Sequence, residues 1–219
     1  MITIKIQDKS IDFPESWAEI KLKQFISFMK WLNNRPQSFQ YEVDEIVYNL
    51  NLIRIFALNP ITDDDINSLD LSEISPLLAS FDKFIGNIPD TKVKESLIID
   101  GVLYSFKSLD SLSIGEYISY RQLLETKEDK LDVVPDLLSI ICRPATKRFC
   151  TERKKDVFDL SPFKAEDIKW RREIMENAPA LELMSLANFF LSGSLLQTNN
   201  STGSLSPKKP RKTRKGAVK

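Results

Sequence analysis

The chain has 219 residues, 42% of them hydrophobic, which is enough apolar material for one compact domain or two small ones. Its 31 basic and 31 acidic residues are unevenly placed: Lys208, Lys209, Arg211, Lys212, Arg214, Lys215 and Lys219 lie in the last 14 residues without an acid, so a +7 arm follows a −7 body. Histidine is absent, which excludes the usual neutral-pH general base, His-dependent triads and histidine-ligated zinc, and an acidic body repels nucleic-acid phosphate.

The segment IKIQDKSIDF, residues 4–13, alternates apolar and polar residues around Asp8-Lys9 and predicts a β-hairpin. A helix follows over 21–34, where Leu22, Phe25, Ile26, Met29 and Leu32 trace one apolar face. The run VDEIVYNLNLIRIFALNP predicts a second helix closing at Asn59-Pro60, because proline lacks the amide donor and restricts the residue before it. Thr62 is placed to cap a short helix within 62–87, and Asp63, Asp64 and Asp65 suit its positive end.

After an expected join at Pro89 to Lys94, the plan repeats. SLIIDGVLYS, residues 96–105, predicts a second hairpin with Asp100-Gly101 as its turn. Asp8 and Asp100 lie 92 residues apart, and this offset pairs Ile6 with Ile98, Ile11 with Leu103, Leu22 with Ile114, Phe25 with Tyr117 and Ile26 with Ile118. Ser113 and Glu116 form a capping box for a helix over 113–125. The next helix, LDVVPDLLSIICRP, is expected to stop at Arg143-Pro144, where Arg143 either supports the turn, the favoured reading, or is functional. Further helices are expected around 164–176 and 180–191, with a break near Pro179 and a stop at Gly193. The expected fold is α+β: duplicated lobes at 1–92 and 93–193, each a short hairpin followed by packed helices, then a disordered basic tail at 194–219. The alternative is one α+β domain whose two hairpins look alike by chance.

No catalytic constellation emerges, and neither cofactor nor metal is expected. Cys142 reads as a packing residue at a helix end, and Cys150 as an incidental thiol in the charged loop TKRFCTERKK. The aspartates 63–65 lack the spacing and central glycine of a calcium loop, so a cap with a solvated face accounts for them. Asp167, Glu173 and Glu176 among Lys169, Arg171 and Arg172 read as an exposed mixed-charge helix surface. There is no glycine-rich phosphate loop. Most aromatics fit a core, while Trp31, Tyr120 and Trp170 are the candidates for a protein-binding surface. The seven arm cations are candidates for weak contact with nucleic acid or an acidic protein, although base stacking is not expected where aromatics are missing. Neither a signal peptide nor a membrane span is expected, which places the chain in a cytoplasm.

The phrases FPESWAEIKLKQFISFMKWL, YSFKSLDSLSIGEYISYRQLLE and DLLSIICRP resemble those of tail-assembly or baseplate-hub-assembly chaperone-like proteins of tailed bacteriophages, especially Bacteroidetes phages. The matching residues are Trp17, Leu22, Phe25 and Ile26, then Leu109, Leu112, Gly115, Glu116, Tyr117, Arg143 and Pro144. The likeness covers about residues 1–145; the doubling and the tail after 193 fall outside it. It implies a non-catalytic morphogenesis protein that holds a phage tail, baseplate or hub protein during assembly in the host cytoplasm. A permanent virion component, or a nucleic-acid-associated protein using the arm, is the alternative.

Overall fold

The computed structural model describes residues 1–6, 8–86, 89, 93–126, 129–152 and 154–187. The cationic arm, the end of the last expected helix and part of the expected join lie outside them. The architecture is α+β, with two separate antiparallel sheets and helices packed against both. No helix among the described residues is long and apolar enough to cross a membrane.

Strands β1 (Ile2–Ile6) and β2 (Lys9–Phe13) form the first hairpin, with Ile6 opposite Lys9. A 3-10 turn at Trp17–Glu19 leads into α1 (Leu22–Asn33), followed by α2 (Glu42–Phe56), α3 (Asp63–Asn67) and α4 (Leu71–Ile85). Thr62 caps α3 as expected, its hydroxyl accepting from the Asp65 amide at 3.2 Å. Asp65 itself is buried instead of solvated, because its carboxylate takes Lys9 Nζ at 2.8 Å and the Thr62 amide at 2.8 Å. Those bonds, led by the one from Lys9, lower its pKa to about 2.

Strands β3 (Ser96–Ile99) and β4 (Val102–Phe106) form the second hairpin. Asp100 and Gly101 both take positive φ, 49° and 77°, as a tight hairpin turn requires. A 3-10 turn at Leu109–Ser111 again precedes a helix, α5 (Ile114–Thr126). Ile99 sits opposite Val102, so it holds the place that Ile6 has in the first hairpin. The expected hairpin partners are therefore off by one: Ile99 and Tyr104 are buried, as Ile6 and Ile11 are, whereas Ile98 faces solvent and Leu103 is half-buried. The slip arises because Lys9 belongs to strand β2 and not to the turn.

The second lobe then departs from the expected plan. A 3-10 turn at Lys130–Val133 leads to α6 (Val134–Ile141), which ends before Arg143. Arg143 and Pro144 open a strand, β5 (Cys142–Cys150), which pairs first with β4 and then with β6 (Lys155–Leu160). What reads as a charged loop is thus a hairpin, and half-buried Cys150 sits at its end opposite Lys155. Pro144 is tolerated where pairing passes from β4 to β6. Its carbonyl accepts from the Ser161 amide at 2.8 Å, and the Ser161 carbonyl, which proline cannot reciprocate, accepts from Arg143 Nη1 at 2.6 Å. In the first lobe only a trace of this strand exists: the Leu58 amide donates to the Asp12 carbonyl at 2.9 Å on the edge of β2.

A 3-10 turn at Ala165–Asp167 leads to α7 (Ile168–Asn177), with residues 180–187 helical beyond a break at 178–179. That break clasps α1. The Leu22 amide donates to the Ala178 carbonyl at 2.9 Å, the Ala180 amide donates to the Ile20 carbonyl at 2.8 Å, and Lys21 bridges Pro179. One apolar cluster runs from Ile6 to Ala187 across both lobes.

Candidate protein-binding surface

The buried ionisable groups are committed to holding the fold. Glu116 is fully buried at the start of α5; its Oε1 accepts from Arg143 Nη2, and its Oε2 from the Ser113 amide at 2.5 Å and Lys107 Nζ at 3.1 Å. Burial pushes this carboxyl up, but the Ser113 bonds, Lys107 and the Arg143 charge outweigh it and hold it below its ordinary 4.5. It is therefore a fixed anion at neutral pH rather than a proton acceptor. An open cleft of about 730 Å³, walled by Phe158 and Phe163, lies beside this pair.

Arg171, expected on an exposed surface, is buried. Its Nε donates to the Ser139 carbonyl near the end of α6 at 2.9 Å, and its Nη1 meets Asp167 at 3.2 Å. A guanidinium fits that place because the last carbonyls of a helix have no partners within it. Burial pushes the Cys142 thiol up to about 12, which keeps it a protonated packing group. Among the described residues, no group of three or more His, Cys, Asp or Glu side chains is placed to hold a metal.

The three aromatic candidates are separated. Tyr120 is only 2% exposed, packed on the inner side of α5, so it offers no surface in this fold. Trp31 is half-buried between Phe28 and Tyr48, with ring centroids 5.9 and 4.8 Å away, and its Nε1 donates to the Tyr48 carbonyl at 3.0 Å. It fastens α1 to α2. Trp170 on α7 is exposed beside Arg171, whose guanidinium carbon lies 5.7 Å from the ring centre. The seven arm cations lie outside the described residues.

Among the described residues, an exposed apolar set on α2 was not among the candidates. Helix α2 carries two apolar stripes. Leu52, Ile53 and Phe56 pack into the core with half-buried Leu50 against them, while Val43, Ile46 and Val47 recur at i, i+3 and i+4 on its outward side. Val43 is 65% exposed and Val47 is 55%, with Tyr41 and Leu32 also exposed at the same helical corner. The surplus stripe was readable as periodicity; reading α2 as one apolar run hid it. Helix α5 bears a second outward set with the same spacing, Ile114, Tyr117 and Ile118.

Comparison with protein-family models, curated proteins and solved structures finds no match to this chain.

Proposed function

We propose that this chain is a non-catalytic phage morphogenesis protein that binds and holds a tail or baseplate component in the host cytoplasm during assembly. One observation carries the binding part of this reading: Val43, Ile46 and Val47 form an exposed apolar set at i, i+3 and i+4 of α2, beside the residues that already pack the core. A large apolar patch on an otherwise charged surface marks a contact site, and fully burying a Val or Ile side chain stabilises a complex by roughly 1.5–3 kcal/mol. Trp31 supports the site by fixing the α1–α2 corner, and Trp170 is a separate exposed anchor. The assignment to phage assembly rests on the resemblance of the hairpin-helix phrases and on the Arg143-Pro144 pair.

Quantitative mass spectrometry of infected-cell lysate and purified virions tests the assignment. Abundance in lysate with a tail or baseplate partner, together with absence from virions, is expected. Fixed stoichiometry in virions would make the chain a structural component instead.

A further inference from the structure

We propose that the occupant of the α2 stripe is a basic amphipathic helix of the partner, an inference that rests on α2 being the binding surface. The stripe of Val43, Ile46 and Val47 is flanked by carboxylates. The helical period sets Glu42 on one side of its N-terminal half and Asp44 on the other. Both are exposed, and neither enters an ion pair among the described residues. The cations on or beside α2 are engaged: Arg35 contacts Glu45 at 3.4 Å, and Arg54, at the far end of the helix, takes Asp63 at 2.8 Å and Asn51 at 3.0 Å. An apolar stripe between two free carboxylates is complementary to a helix that carries Lys or Arg on both borders of its own apolar face.

The same charges argue against the other occupants. A second copy docked stripe to stripe in parallel would bring Glu42 and Asp44 against their equivalents, and like charges at an interface are unfavourable. The chain's own arm matches the charge but not the stripe, because Ala217 and Val218 are its only apolar residues after Ser206 apart from two prolines. Acidic residues in a first helical turn also favour the helix itself, so the test must separate that role from recognition.

The full chain is titrated by fluorescence anisotropy with two synthetic helices that share a Leu stripe at i, i+3, i+4 and i+7. One is bordered by Lys and the other by Glu. The Lys helix is expected to bind about tenfold more tightly or better, with the preference shrinking as salt rises from about 0.05 to about 0.5 M. The double variant Glu42→Gln/Asp44→Asn should bring the two affinities together while weak apolar binding persists. Val43→Ser/Val47→Ser should weaken both, and its unchanged melting curve would show that the fold is intact.

Equal binding of the two helices, or binding of neither, overturns the proposal. So does a roughly tenfold gain in affinity for the Lys helix when the seven arm cations are replaced by Gln, since the arm would then be the occupant. Failure here is distinguishable from failure of the binding surface. If Val43→Asp/Val47→Asp releases the partner in infected-cell lysate while the two helices bind alike, the surface stands and the basic partner falls.

Discussion

Helices α1 and α5 follow hairpins of the same build and are each preceded by a 3-10 turn, yet they meet different surroundings. Gln24 and Phe28 on α1 face inward, as do Glu116 and Tyr120 at the matching positions of α5. On the next face the two helices part. Leu22, Phe25 and Ile26 are buried, with the Leu22 backbone tied to Ala178 of the second lobe, whereas Ile114 is 81% exposed and Tyr117 and Ile118 are exposed with it. Equivalent sequence positions therefore do not imply equivalent burial, because a neighbour from elsewhere in the chain decides which face is covered.

The lobes also differ in what holds them. The first is an aromatic lobe, in which Phe28 meets Trp17 and Phe56 at 5.7 and 5.5 Å and Phe81 meets Phe13 and Phe56 at 5.9 and 5.1 Å. The second has an aliphatic core, around Leu137, Leu138, Ile140 and Ile141, to which buried guanidinium groups at Arg143 and Arg171 are added. The Gln24 and Glu116 positions condense the contrast. Neutral Gln24 accepts from the Lys21 amide at 3.0 Å and donates to the Ala57 carbonyl at 3.2 Å, while Glu116 makes the corresponding bond to Ser113 and adds two cations.

The contrast can be broken by substitution, beginning with the largest expected loss. Phe28→Ala should cost about 4 kcal/mol in urea unfolding, since it opens the centre of the aromatic cluster. Arg143→Met should cost about 3 kcal/mol by leaving Glu116 short of its buried cation, and adding Glu116→Gln should recover most of that, because a neutral pair has no uncompensated buried charge. Gln24→Ala, the first-lobe counterpart, should cost only about 1 kcal/mol. Leu22→Ala should lose about 3 kcal/mol, while Ile114→Ala should stay within about 0.5 kcal/mol of the parent; equal losses would mean that the α5 face is covered in solution.

A subtler difference is pH-dependent. Asp65 has a folded pKa of about 2, below its ordinary 3.8, so its contribution is complete above the unfolded value and fades as pH falls through about 2. The stability gap between the parent and Asp65→Asn should therefore close between about pH 5 and about pH 2; a gap independent of pH would contradict the Lys9 contact.

Much of this fold was legible before the structure. Asp100-Gly101, the Thr62 cap and the Ser113–Glu116 box are local devices, and each forms as its residue types require. Strands β5 and β6 were not legible, because their distal part is solvated on both faces. Thr146, Lys147, Arg148 and Phe149 are all exposed, so no apolar alternation marks a strand there. Arg143-Pro144 looked like a helix stop because the chain does leave the helix near that point, but it leaves into a sheet. At the candidate surface, aromatic size drew attention to Tyr120, although large side chains are mostly core, while the aliphatic stripe of α2 carried the more informative pattern.

The most direct test of the central claim is co-purification from infected-cell lysate of the parent chain and of Val43→Asp/Val47→Asp, with thermal unfolding of both. Both residues are exposed, so the melting temperature should shift by no more than about 4 °C while the captured tail or baseplate partner is lost. Retention of the same partner by the folded variant would contradict α2 as the surface that holds it.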